Sequence, residues 1–218
     1  MPLDTQIARE QMISQQLRTW GVLDERVLDA VRKVAREKFV PAGYQALAFA
    51  DENLPLPHAQ VMLAPKLEAR ILQVMEIQPT DQVWIVGAGS GHLAACAAQL
   101  AYKVRVTDAQ TDMANQARRN LQATVSNNVF VDNVDALQLD LNKAYDVIIV
   151  TGSAPGLLPQ LERALSLGGR LFLVTGKAPV MQAMKITRLD DNQWQRDTLF
   201  ETELPRLSKA LEPNQFVF

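Results

Sequence analysis

A doubly wound α/β fold carrying a helical N-terminal extension is predicted by three features of the 218-residue sequence. Short, continuously apolar runs alternate with helical segments from residue 82 onward. One of those runs passes directly into Gly87-Ala88-Gly89-Ser90-Gly91. After Gly176 the pattern changes to residue-by-residue alternation around Asp190-Asp191-Asn192-Gln193. Continuous apolar runs suit parallel strands covered on both faces, and alternation around an Asp/Asn turn suits an antiparallel hairpin at a sheet edge.

Each element follows from local pattern. Asp4 is placed to cap a first helix in which Ile7, Met12, Ile13, Leu17 and Trp20 recur at helical spacing until Gly21. Asp24 caps a second, with Val27, Leu28, Val31 and Val34 on one face. Between Pro41 and Pro65 five Pro or Gly residues break regular structure, so a loop with one helical turn is expected. A loop of that length in a compact domain is more often functional than idle. Pro65 suits the first turn of a third helix through Leu67, Ile71, Leu72, Met75 and Ile77. Strands are expected at 83–86, 104–107, 129–131, 147–150 and 171–174, helices near 91–100, 111–123 and 157–165, and a last strand segment at Phe216-Val217-Phe218. A single domain results, with residues 1–78 forming helices and loop and 79–218 forming the sheet.

Composition narrows the function classes. With 22 basic and 24 acidic residues the net charge is -2, which gives no general attraction to a phosphate backbone. One cysteine, Cys96, precludes an internal disulfide or a multi-cysteine metal site, and two histidines leave little material for a metal centre. The polar N-terminus and the absence of any long apolar window predict neither signal peptide nor membrane span, hence a cytoplasmic location.

The chemistry is concentrated in Val83–His92. A buried strand, a glycine loop and a helix in that order present backbone amides at the carboxyl edge of the sheet. The pattern is GxGxG, with His92 where a dinucleotide fingerprint would place its third glycine. Asp108 stands at the tip of the next strand, 17 residues after Gly91, where a carboxylate can accept both hydroxyls of a ribose. Together these features point to an adenosine-containing ligand, whereas glycines serving a mere turn and an Asp108 that only caps a helix are the simpler alternative. Asp132, at the third strand tip, is placed to accept from an adenine amino group, although it or Asp135 could instead cap a turn. Thr151 and Gly152, just beyond the fourth apolar run, would face the same cleft. Cys96 is expected to pack against the sheet, Trp84 to be sandwiched between sheet and helix, and Trp20 and Trp194 to serve core or edge packing. His92 is expected over the methionine part of the cofactor or on the helix surface, and His58 in the loop as a substrate contact or an exposed residue.

The segments REQMISQQLRTWGVLDERVLDAV, AREKFVP, FADENLPLPHAQ, VGAGSGHLAA, YDVIIVTGSAP and LGGRLFLVTG span nearly the whole chain. In them the sequence resembles the protein-L-isoaspartate (D-aspartate) O-methyltransferase family. The resemblance implies a seven-stranded sheet of the class I S-adenosylmethionine methyltransferase type with a reversed final strand. It also implies S-adenosyl-L-methionine as cofactor, S-adenosyl-L-homocysteine as product, and an isoaspartyl protein or peptide as acceptor in a protein-repair reaction. The cofactor set it implies is Gly87, Ala88, Gly89, Ser90, Gly91, Asp108, Ala109, Asp132, Asn133 and Thr151, and the substrate loop is His58, Gln60, Val61 and Leu63, with no metal.

Departures from the family pattern are equally specific. Where the family loop carries a threonine and a serine this chain has Val61 and Leu63, and where a carboxylate usually precedes the first glycine by two residues it has Ile85. Methyl transfer to a carboxylate needs in-line placement rather than a base, because a carboxylate with a pKa near ~4 is already ionised at neutral pH. No catalytic residue is therefore assigned. Two further readings remain open at this point: a protein that binds S-adenosylmethionine or S-adenosylhomocysteine for regulation, and a methyltransferase with a small apolar or carboxylate acceptor. The buried position expected for Cys96 and the lack of an Asn/Asp-Pro-Pro-aromatic tetrapeptide disfavour methylation of nucleic-acid bases.

Overall fold

The computed structural model describes residues 3–124, 127–207 and 210. Its centre is a seven-stranded sheet in the spatial order β5-β4-β3-β6-β7-β8-β9. The strands are β3 (Gln82–Val86), β4 (Lys103–Thr107), β5 (Val129–Asp132), β6 (Tyr145–Ala154), β7 (Leu165–Lys177), β8 (Val180–Asp190) and β9 (Gln193–Glu201). The first five run parallel, and the central pair, β3 and β6, is buried on both faces over Val83–Val86 and Val147–Val150, which accounts for the apolar composition there. From β3 the chain winds outward through β4 and β5, then returns to the other side of β3 with β6. That reversal opens a crevice at the carboxyl ends of β3 and β6.

The C-terminal strands form the expected hairpin, β8 pairing with β9 across Asp191 and Asn192. The reversed strand is nevertheless the penultimate one. β8 is antiparallel to β7 and β9 to β8, so the final strand regains the common direction, a consequence of building the edge by two successive hairpins. Phe216–Phe218 lie outside the described residues.

The extension begins with α1 (Leu3–Gln11), which continues into a widened turn at Met12–Leu17, where Arg18 N–H bonds back to Ile13 O. Such five-residue spacing shifts the phase of the helix. Met12, Ile13 and Leu17 are buried, whereas Ile7 and Trp20 are turned outward and about half exposed, contrary to the regular stripe expected. The Trp20 ring is covered instead by the Lys66 ammonium at 4.2 Å. α2 (Glu25–Lys33) starts at Asp24, whose carboxylate accepts from Arg26 N–H, and buries Val27, Leu28, Ala30 and Val31. The Pro-rich stretch holds one 3-10 turn, Gln45–Leu47, and a small antiparallel ladder that sequence patterning does not reveal, β1 (Leu54–Pro55) with β2 (Val61–Met62). α3 (Pro65–Val74) follows.

α4 (His92–Ala98), α5 (Thr111–Thr124) and α6 (Pro159–Ala164) complete the layers. One apolar core joins Met12, Leu28, Phe39, Ile71, Ile85 and Phe172, so the extension shares a core with one face of the sheet. The opposite face holds a second core around Trp84, Ile148, Leu161 and Leu171. Trp84 is buried there, its indole N–H donating to Thr107 Oγ1 at 2.9 Å and its ring 5.1 Å from that of Tyr145. No helix among the described residues is long and apolar enough to cross a membrane.

Candidate functional site

The crevice is built around Gly87. Because Val86 pairs with Val150, the next residue of each strand, Gly87 and Thr151, stand side by side. Thr151 Oγ1 donates to Gly87 O at 3.0 Å, and a Cβ on Gly87, whose φ is +93°, would collide with that hydroxyl. Only glycine meets both conditions. Gly89, at φ +53°, has nothing within 4 Å of where a Cβ would be, so the loop turns bare backbone toward open space. Thr151 lines the space beside the glycine loop but spends its hydroxyl hydrogen on fixing that loop.

Asp108 follows β4 at the crevice edge. Its Oδ2 accepts from Ala88 N–H and its Oδ1 from Gln110 N–H, both at 2.8 Å, so the carboxylate joins the glycine loop to the start of α5. Each oxygen retains a lone pair. Ala109 lies beside it, and Asn133 braces the same turn, its Nδ2 donating to Asp108 O while its Oδ1 accepts from Thr111 Oγ1. A cavity of about 30 Å³ bounded by Gly87, Asp108, Ala109, Asp135, Gln60 and Leu207 marks this cleft. Two open surface cavities of about 510 Å³ each contain neither Asp108 nor a loop glycine, so size does not locate the site.

Asp132 is a correction. Its carbonyl accepts from Asp108 N–H at 3.2 Å, but its carboxylate accepts from Arg105 Nε at 2.8 Å and borders Lys103, Phe130 and Tyr145 rather than the cavity beside Asp108. Strand alternation explains this: Arg105 and Phe130 pair across β4 and β5, and the guanidinium draws the nearby carboxylate to their face. The acid at the cleft is Asp135, which also accepts from Leu137 N–H at 3.0 Å.

The β1–β2 hairpin roofs the crevice. Its turn, Pro57–Gln60, places His58 and Ala59 at φ +58° and +53°, the mirror-image turn that favours Asn-Gly. Both walls hold it. His58 Nε2 pairs with Asp112 of α5 at 2.9 Å, which lowers the Asp112 carboxyl from its usual range, and Gln60 Nε2 donates to Arg206 O at 3.0 Å. Below the hairpin, Val61 and Leu63 face Gly89, Ser90 and Thr151 across a second space of about 10 Å³.

Behind that space lies a cluster that sequence patterning did not identify. Arg36, 1% exposed, donates from Nη1 to Glu68 Oε2 (2.5 Å), from Nη2 to Leu63 O (2.7 Å) and from Nε to Ala48 O (2.9 Å). His92 Nδ1–H donates to the same Glu68 Oε2 at 2.6 Å, and Cys96 Sγ lies 3.7 Å from His92 Nε2. Burial alone would raise the Glu68 carboxyl, but the His92 ring and the Arg36 guanidinium together hold it below the usual range. Burial, with the Glu68 charge adding to it, pushes the Cys96 thiol well up. Cys96 is thus a packed thiol, and His92 is buried rather than on the helix surface. The available signal for Glu68 was a carboxylate on the buried stripe of α3, one turn before Ile71 and Leu72.

Several features fit a nucleoside with a charged amino-acid tail: bare loop amides, a strand-tip acid with spare acceptor capacity, and a buried carboxylate bordering the adjoining space. The comparisons agree. A family model described as protein-L-isoaspartate(D-aspartate) O-methyltransferase matches residues 8–204. A protein-L-isoaspartate O-methyltransferase of Koribacter versatilis (strain Ellin345) is 36% identical over 192 residues, covering 88% of this chain and 86% of that protein. One of Pelobacter propionicus (strain DSM 2379 / NBRC 103807 / OttBd1) is 34% identical over 193 residues, covering 88% and 86%. Among solved structures, a Plasmodium falciparum chain described as a protein-L-isoaspartate O-methyltransferase in complex with S-adenosyl-L-homocysteine superposes with a TM-score of 0.81. It is 20% identical, with 92% of this chain and 98% of that one covered, and at that identity the match bears on the fold.

Proposed function

The chain belongs to the protein-L-isoaspartate(D-aspartate) O-methyltransferase family, and from that premise we propose that it methylates the carboxylate of isoaspartyl residues in proteins or peptides, using S-adenosylmethionine. The observation that carries the reading is the juxtaposition of a glycine loop and strand-tip Asp108 with the Val61–Leu63 loop facing the same glycines.

Under this proposal Asp108 accepts the ribose hydroxyls, the Gly87–Gly91 backbone lies along the ligand, and Ala109 and Asp135 border the base. When bound, S-adenosylmethionine supplies an electrophilic methyl group on its sulfonium. The chain's own task is placement. Val61, Met62 and Leu63 wall the acceptor side with apolar surface, which removes water from an ionised carboxylate and leaves its orientation to loop backbone. No side chain has to take a proton. The hairpin lies close over the glycine loop, leaving spaces of only about 30 and 10 Å³, so it moves outward to hold the cofactor. A soluble, cytoplasmic protein is part of the same reading, supported by the near-neutral, cysteine-poor composition.

The test uses S-adenosylmethionine labelled in its methyl group with a peptide carrying one isoaspartyl residue and its aspartyl counterpart. Base-labile label on the isoaspartyl peptide alone is expected, rising in Val61→Thr/Leu63→Ser. An absence of label above blank at high enzyme concentration refutes the proposal.

A further inference from the structure

We propose that Glu68 receives the α-ammonium of the S-adenosylmethionine methionine end, in the space between Val61–Leu63 and Gly89–His92. The identity of the ligand rests on the function proposed above; the role of Glu68 rests on the geometry of its carboxylate.

Both donors that reach Glu68 converge on one oxygen. Arg36 Nη1 and His92 Nδ1 bond Oε2, while Oε1 accepts from no donor among the described residues. The residue is 3% exposed, and the space it borders is bounded by Gly89, Ser90, Gly91 and Thr151, the inner side of the glycine loop. Glu68 itself lines that space, and for a carboxylate oxygen without a protein donor in so enclosed a setting a cationic N–H group is the best partner.

The charge arrangement selects the sign of the ligand group. Three of the five N–H groups of Arg36 are committed, to Glu68, Leu63 O and Ala48 O, and its charge is already paired with Glu68. The open valence of the cluster is an acceptor. β3 contributes none, since Val83, Trp84, Ile85 and Val86 are all apolar, and Ile85 belongs to the same core as the α3 residues flanking Glu68. The cofactor carries its ammonium at one end and its ribose at the other. Gly87 and Thr151 stand between the Glu68 space and the Asp108 cleft, so the two carboxylates are placed one for each end.

Titration calorimetry on the full chain tests this with three probes: S-adenosylhomocysteine, its analogue lacking the α-amino group, and 5′-methylthioadenosine, which lacks the whole amino-acid end. The wild-type chain is expected to prefer S-adenosylhomocysteine over the desamino analogue roughly ten- to hundredfold, the range of a charge-assisted hydrogen bond. Glu68→Gln should abolish that preference while leaving 5′-methylthioadenosine affinity unchanged. Equal affinity of the wild-type chain for the first two probes overturns the proposal, and needs no variant to fold. An equal loss of all three in a folded Glu68→Gln protein also overturns it, since that marks a structural role alone. Failure of every probe to bind the wild-type chain refutes the function proposed above instead.

Discussion

Replacing Arg36 by Met tests the buried cluster as a joint between the extension and the cofactor loop. Met fills most of the volume but removes the donors that Glu68 Oε2, Leu63 O and Ala48 O now use. Removing one partner of a buried ion pair costs about 3–5 kcal/mol, because the remaining charge stays buried and uncompensated. For a chain of this size about 1 kcal/mol moves the thermal midpoint by about 2–4 °C, so a drop of roughly 10 °C is expected. The pH dependence separates charge from packing. In the wild-type chain the folded Glu68 pKa lies below its unfolded value, so the stability it contributes is full above the ordinary glutamate range, near ~4.3, and is lost as pH falls through the folded value. Without Arg36, burial, the largest influence on this group, is opposed by His92 alone, so the folded pKa rises from its wild-type value. The destabilisation is then full at neutral pH and fades on acidification, so the two urea midpoints converge toward pH ~4. Arg36→Met/Glu68→Gln should recover part of the loss at pH 7. A cost below about 1 kcal/mol, or a gap that stays constant between pH 7 and 4, would show that Arg36 acts through packing alone.

Ala59→Gly should raise the thermal midpoint by about 2–4 °C, because a left-handed non-glycine residue costs about 1 kcal/mol, and an unchanged or lower midpoint in scanning calorimetry would contradict strain in the hairpin turn. Gly87→Ala should destabilise the fold by about 2 kcal/mol and eliminate S-adenosylhomocysteine binding, since the methyl group displaces Thr151; calorimetric binding at wild-type strength would refute the close fit. Native Cys96 should stay unmodified by a chromogenic disulfide reagent at pH 8 and react fully in denaturant, and rapid stoichiometric labelling of the native chain would disprove its burial.

What was legible in the sequence was whatever obeys a short period or a fixed backbone demand. The runs Val83–Val86 and Val147–Val150, the Gly87–Gly91 loop and the Asp24 cap depend on neighbours within a few residues. Family resemblance supplied the cofactor. Asp132 went astray because the side-chain direction at a strand tip is decided by a cross-strand partner, Arg105, which lies 27 residues away. Arg36, Glu68 and His92 come from three different helices or turns and are up to 56 residues apart, so no local pattern joins them. The widened turn at Met12–Leu17 leaves no compositional mark, yet it decides that Ile7 faces outward.

The same cluster changes what the helical third is for. As a separate appendage it would present a polar face to the sheet; here one guanidinium from the extension holds the acceptor-loop carbonyl at Leu63 and the carboxylate at Glu68, which in turn holds His92 at the end of the glycine loop. The loop at Leu63 and the glycine loop are therefore referenced to a single buried cluster, the first directly through Arg36 and the second through Glu68 and His92. Methyl transfer needs two reactants aligned at ~3 Å and no proton movement, so a rigid common anchor is the contribution that matters most. On the function proposed above, a chain that lacks hydroxyls at Val61 and Leu63 depends on it more heavily, because backbone groups would orient the acceptor only as well as the backbone itself is held.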